Sequence, residues 1–325
     1  MRTPTRVMLG LLIFVISTWL RVPNFHHAAW AEALLLFAAL VIAPFLLDLV
    51  ADAADGPLTR RILAAVARLQ LPAAILLVFA YAQGPDPRMA LRALPWTCVL
   101  LLLASVGALR IGQRGLRPWS WLCRDLGLVY AAVGAAWLMA DRLGLRPLGF
   151  GGAIVLLTAI HFHFAGMIVP VLAGLALQRL GNSRLAAFVG LTVILGVPAV
   201  AVGISASQLG IDPAIEVSAV LVMATGGLGL GAFHLRLAFQ AGGGSALLRW
   251  LWALAGFSLI AGMLFAGLYG LRHFFQPWPW LGIPWMWALH GSINALGFGF
   301  CGVTGWWLDR ARVGIKPRPA TVITP

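Results

Sequence analysis

The sequence predicts an all-α integral membrane protein, a helix bundle of about ten transmembrane helices with both termini cytoplasmic. Three observations carry this. Hydrophobic residues make up 61% of the 325 positions and charged residues 10%, where a soluble domain carries roughly 25% charged residues. The apolar residues gather in long uninterrupted runs, mostly of about 18 residues or more, enough to cross roughly 30 Å of hydrocarbon. The basic residues between those runs alternate between rich and poor loops, as the positive-inside rule requires.

In chain order the apolar segments are 7–21, 28–50, 62–83, 93–110, 124–141, 149–177, 184–207, 213–238, 246–271 and 281–307. The first is short and follows Arg2 and Arg6 like a signal peptide. The stretch after it, Ser17-Thr18-Trp19-Leu20-Arg21, is a poor cleavage site, so it reads as an uncleaved span. Helix is the structure expected for each, because a lipid-exposed segment must satisfy its own backbone hydrogen bonds. Loops are short throughout. Residues 1–310 therefore read as one transmembrane helical domain, and residues 311–325 as a basic, proline-containing cytoplasmic tail.

With the N-terminus inside, the outer ends hold Arg21, Arg88, Arg92, Arg142, Arg146 and Arg272, and the other 17 of the 23 basic residues fall at inner ends. Tryptophan gives a second check. Trp19, Trp30, Trp96, Trp137, Trp278, Trp280, Trp285 and Trp287 fall at outer ends and the other six at inner ends, as amphipathic rings at an interface would. The net charge of +13 then reflects topology and anionic headgroups, not nucleic acid. The partner is the lipid bilayer. Cys98, Cys123 and Cys301 match no zinc or disulfide spacing and read as small packing residues.

Ionisable groups at membrane depth are costly, so each asks for a partner. The sixth helix carries His161 and His163 near its midplane. Two residues apart is about 200° around an α-helix, so the two imidazoles point to opposite sides and suit two separate sites better than one chelate. Pro170, one turn past Gly166, is placed to kink this helix. The tenth helix carries His290 and Asn294 on one face, with Gly297 and Cys301 continuing the stripe. His290 and His161 lie at similar depth. The eighth helix carries Glu216 near its outer end, His234 near its inner end, and Gly226, Gly227, Gly229 and Gly231 between them. Those glycines read as a close-packing stretch, not a phosphate loop, since no Lys-Ser/Thr follows. His26, His27 and Glu32 fall at the outer surface and would form an outer mouth. His234 and His273 read as interfacial, and Asp48 and Asp125 sit where pairing is cheap. No Ser/His/Asp set and no His-Glu-x-x-His helix appears, which disfavours a hydrolase.

The His161-Phe-His163-Phe-Ala-Gly stretch and the His290-Gly-x-x-Asn294-Ala-Leu-Gly-Phe run resemble the YndJ-like family of bacterial membrane proteins. The resemblance implies a multi-pass protein of a bacterial inner membrane, sometimes labelled a transporter, and carries no catalytic residue. His161-Phe-His163-Phe is also similar to the His-Phe-His-Tyr stretch of haem–copper oxidase subunit I, where opposed histidines ligate different haems, and His290-Gly is similar to a haem-ligand helix there. The chain departs from that family in having no adjacent midplane histidine pair and no His-Pro-Glu-Val-Tyr motif.

Two functions follow from these residues. One is a redox-type protein binding haem or a transition metal, with His161, His163 and His290 as ligands and Thr158 and Asn294 orienting the rings. The other is a transporter whose proton- or cation-linked site uses His161, His163, His290 and Glu216, reached past His26, His27 and Glu32. A third and plainer reading makes the histidines interhelical hydrogen bonds in a scaffold.

Overall fold

The computed structural model describes residues 1–21, 27–181, 183–240, 245–275 and 282–313, with the backbone alone at His27, Ile283 and Val313. Ten helices follow one another, with no strand among the described residues. We label them α1 (Thr3–Trp19), α2 (Ala28–Val50), α3 (Pro57–Ala80), α4 (Pro87–Arg114), α5 (Trp119–Arg142), α6 (Gly152–Leu180), α7 (Arg184–Gln208), α8 (Ala214–Gln240), α9 (Ala246–Gly270) and α10 (283–313). Each matches one apolar run of the sequence. The eight from α2 to α9 are long and apolar enough to cross a membrane. The last helix continues through Val313, so the domain boundary expected at residue 310 lies within a helix. Residues 314–325 of the expected tail lie outside the described residues.

α2 is the axis of the bundle. Nearly all of its apolar stretch is buried, against about a third for α3 and α9. Its sequence explains this. From Ala33 to Leu47 it is apolar on every side, and Ala33, Ala38, Ala39 and Ala43 let neighbouring backbones approach. Gly10 of α1 lies against the carbonyl of Leu40, where a Cβ would collide. α10 runs beside α2 in the same direction. Trp30 Nε1 donates to Ser292 Oγ at 2.8 Å near one end, and Trp307 Nε1 donates to Asp48 at 3.0 Å near the other.

The last carbonyls of α2 are capped by arginine side chains. Arg110 donates to Val50 O at 2.8 Å and Arg124 to Leu49 O at 3.3 Å. Arg310 donates to the carbonyls of Asp48, Leu49 and Ala51. Cations at a helix C-terminus satisfy its orphan carbonyls and oppose its dipole. Arg110 is also clamped by Asp55 at 2.7 Å and Asp125 at 3.4 Å, and Arg114 reaches Asp52 at 3.2 Å and Asp55 at 3.4 Å. At the opposite end, Arg142 pairs with Asp141 at 2.8 Å and lies 3.8 Å from the Tyr81 ring centroid. Arginines counted in the sequence as loop charge are thus partly structural. Tryptophan divides similarly. Trp19 and Trp250 are exposed as interface anchors are, whereas Trp96 and Trp252 are each only 1% exposed and belong to the core.

Three helices are interrupted by wide π turns: Ala38–Ile42 in α2, Phe162–Ile168 in α6, and Met286–Gly291 with Ile293–Phe300 in α10. In α2 and α6 a proline, Pro44 or Pro170, stands two residues past the π turn. A proline ring crowds the carbonyl four residues back and offers no N–H, so the preceding turn widens. His163 and His290 lie within these π turns, and His161 immediately precedes one.

Candidate functional site

α6 to α10, with parts of α2 and α5, wall a cavity of about 570 Å³. It lies on the α6–α10 side of the bundle. Its lining runs along α6 and α10 from their first turns past their middles, to Val169 and Gly299, and takes in the first turns of α8 and the last turns of α7 and α9. The wall is mainly apolar, built by residues such as Leu157, Phe164, Val200, Met223 and Met263. Small molecules favour cavities of this size and character that carry a few placed polar groups.

His161, His290 and Asn294 supply polar groups on this wall. The Nδ1–H of His290 donates to the carbonyl of Gly262 on α9 at 2.8 Å, and Asn294 Nδ2 donates to His290 O at 2.8 Å. Gly262 makes both contacts feasible, since a Cβ there would run into the Asn294 amide. His161 Nε2 and Asn294 Oδ1 are buried without a hydrogen-bond partner. His161 lies within electrostatic reach of His290. Thr158 is also on the wall, but its hydroxyl donates to Ile154 O at 2.7 Å on its own helix.

His163 does not join them. Its Nδ1–H donates to Ala159 O at 2.8 Å, and its Nε2 accepts from Trp96 Nε1 on α4 at 3.1 Å. Gly134 of α5 leaves room for the ring, with a Cβ there only 3.3 Å from Nδ1. Both nitrogens are spent and the side chain is 1% exposed, so His163 is an interhelical tie. The opposed directions expected of His161 and His163 hold, whereas the three-histidine ligand set does not assemble. Among the described residues no group of three or more His, Cys, Asp or Glu gathers as a metal site.

His234 repeats the His163 arrangement. Its Nδ1–H donates to Leu230 O at 3.0 Å and its Nε2 accepts from Trp306 Nε1 at 3.2 Å. It is fully buried, which corrects the interfacial placement expected for it. Sequence reasoning missed both tryptophan partners, 67 and 72 residues away, and no local signal points to either.

Glu216 sits at the cavity rim, held by Arg272 at 2.8 Å and His273 at 3.0 Å. Arg272 also donates to Tyr269 O at 3.1 Å and stacks on the Tyr269 ring at 4.0 Å. Glu32, expected at an outer mouth, is instead paired with Arg21 at 3.2 Å and is not on the cavity wall. The Arg21 guanidinium also donates to Val78 O on α3. His26 lies outside the described residues, as does the side chain of His27.

The α8 glycines pack in two directions. Gly226 and Gly229 face Thr192 and Val189 of α7, and Gly227 and Gly231 face Met263 and Gly256 of α9. A Cβ on Gly231 would come 2.9 Å from the Gly256 carbonyl, and one on Gly256 would come 2.7 Å from that of Gly231. This is the close-packing role the sequence suggested.

The family model described as "YndJ-like protein" matches residues 33–298. A protein of Bacillus subtilis (strain 168) with the name "Uncharacterized membrane protein YndJ" is 28% identical over 222 residues, 68% of this chain. The chain spans 39% of that relative's length. No solved structure matches.

Proposed function

The chain belongs to the YndJ-like family, and from that premise we propose that it is a carrier of small molecules in a bacterial inner membrane, with the cavity as its substrate site. In this reading residues 1–310 act as one membrane unit, both termini are cytoplasmic, and the cavity opens outward. The observation that supports it is the cavity itself. A chamber of about 570 Å³ among five helices, with Glu216 and Arg272 near one end and His290 and Asn294 farther along its wall, is the size of site that an alternating-access carrier would need within its bundle. Away from the cavity, α8 and α9 approach closely through Gly231 and Gly256.

This reading ranks above the metal or haem alternative because His163 is committed to Trp96 and Ala159. One observation keeps haem as the second reading: His161 and His290 turn toward the same cavity, as ligands of one group would.

The test uses single cysteines in a background lacking Cys98, Cys123 and Cys301. Ser205→Cys, high on the wall, and Asn294→Cys, deep in it, are exposed to a membrane-impermeant thiol reagent from either side. Labelling of both from outside, with Asn294→Cys the slower, is expected. Labelling of neither removes the carrier reading. A Soret band in protein purified from haem-replete cells would move the assignment to haem.

A further inference from the structure

Resting on the carrier reading above, we infer that the cavity selects an apolar molecule bearing a hydrogen-bond-donor group, an alcohol or an amine, and seats that group against His290 and Asn294. The argument turns on which lone pairs the fold leaves over. His290 Nδ1 lies 2.8 Å from the Gly262 carbonyl. A carbonyl only accepts, so Nδ1 carries the ring proton, and Nε2 of the uncharged ring is a lone pair. Among the described residues nothing donates to it.

The Asn294 amide is oriented by its bond to His290 O. Its Nδ2 also stands 3.2 Å from His290 Nδ1, but that places two donors face to face and is no bond. Asn294 Oδ1 is therefore a second acceptor, and it receives nothing. An unsatisfied buried acceptor is costly, and a donor-bearing ligand would supply the missing partner where an ether or ester would not.

The rim excludes the opposite chemistry. An anionic ligand would need a free cation, yet Arg272 is engaged by Glu216 and the Tyr269 carbonyl. The remainder of the wall is mainly hydrocarbon, which sets the apolar body. A site built to bond a hydroxyl or amine rejects the analogue lacking it more strongly than an apolar wall rejects a change of size.

The experiment is calorimetric titration of the protein in zwitterionic lipid nanodiscs, with partitioning into protein-free nanodiscs subtracted. Four probes share one apolar body: naphthol, naphthylmethylamine, methoxynaphthalene and naphthoate. Naphthol and naphthylmethylamine are expected to bind at least ~10-fold more tightly than methoxynaphthalene or naphthoate, about the effect of one good hydrogen bond. His290→Phe should remove that preference while keeping methoxynaphthalene binding. His290→Gln, which restores an acceptor, should recover part of it. Asn294→Leu serves as a second variant should His290→Phe fail to fold.

Equal binding of naphthol and methoxynaphthalene, or an unchanged preference in both His290→Phe and Asn294→Leu, overturns the inference and leaves the carrier reading standing. Preference for naphthoate, lost in Arg272→Gln, overturns it in favour of the rim. Binding of no probe, with Ala201→Trp indistinguishable from wild type, brings down the ligand cavity and the inference together.

Discussion

Arg110 offers the sharpest test of how this bundle is held. Its side chain is 1% exposed and makes four hydrogen bonds, two to Asp55 at 2.7 and 2.9 Å, one to Asp125 at 3.4 Å and one to Val50 O at 2.8 Å. Arg110→Met keeps much of the volume and removes the charge. Asp125 then loses its ion pair at 3% exposure, while Asp55 keeps only Arg114 at 3.4 Å. Removing one partner of a buried pair costs about 3–5 kcal/mol. Arg114 pairs with Asp52 where both side chains are partly exposed, and Asp55, its buried second partner at 3.4 Å, would keep both bonds to Arg110, so Arg114→Met should cost about 1 kcal/mol. Denaturant titration in mixed micelles, followed by tryptophan emission, measures both. The triple change Arg110→Met, Asp55→Asn, Asp125→Asn removes every stranded charge and should return most of the loss, because neutral replacements of a buried ion cluster are often tolerated. The reasoning fails if Arg110→Met costs no more than Arg114→Met, or if the triple variant is no more stable than Arg110→Met alone.

The two neighbouring histidines should behave oppositely. His163→Leu strands the Trp96 indole N–H and should cost ~1–3 kcal/mol with a shift in tryptophan emission, whereas His161→Leu removes a nitrogen that has no partner and should stay within about 1 kcal/mol of wild type. Gly262→Ala should displace the Asn294 amide, costing ~1–3 kcal/mol by overpacking and weakening naphthol binding in the same nanodisc titration. Burial opposes ionisation of Asp52 in the turn between α2 and α3, but the Ala54 N–H and the guanidinia of Arg114, Arg124 and Arg110 outweigh it and hold the carboxyl below its ordinary value. A depressed carboxyl contributes stability that is complete above the unfolded value of about 3.9 and is lost as pH falls through the folded one. The stability gap between wild type and Asp52→Asn should therefore be widest near neutrality and close in acid, and a gap that widens as pH falls from 5 to 3 (approximate limits, set around that carboxyl value) would contradict this.

All ten helices were legible because lipid imposes a coarse rule, roughly 20 apolar residues per crossing, that any hydropathy pattern reveals. The opposed directions of His161 and His163 were legible too, since helical rotation is local geometry. What each ring meets was not. Trp96, Trp306 and Arg272 reach their partners across 56 to 72 residues, and nothing in a single sequence encodes that distance. The interior was equally hidden, for a reason particular to membranes. A residue facing lipid and a residue facing another helix are both apolar, so hydropathy cannot separate them. Trp96 and Trp252 were therefore expected at an interface and lie in the core, and Arg110 and Arg142 were counted as loop charge although each is nearly inaccessible.

The two halves of the bundle are held together in partly different ways. Around α2 to α5, arginines cap carbonyls and bind carboxylates, and this fixes α2 through directional contacts that tolerate little displacement. From α6 to α10 glycines add a second kind of contact, Gly231 of α8 against Gly256 of α9 with Ile260 and Leu235 packed beside them, while α10 is still tied to α2 by Arg310 and Trp307 and α6 to α4 by His163. The cavity lies wholly on that second side, apart from Ala31 and Leu34 of α2 and Trp137 of α5. His161 Nε2 and Asn294 Oδ1 are unpaired on helices of the wall, but so are Gln70 Oε1 and Arg124 Nε in the other half, so what sets the first two apart is their place on the cavity.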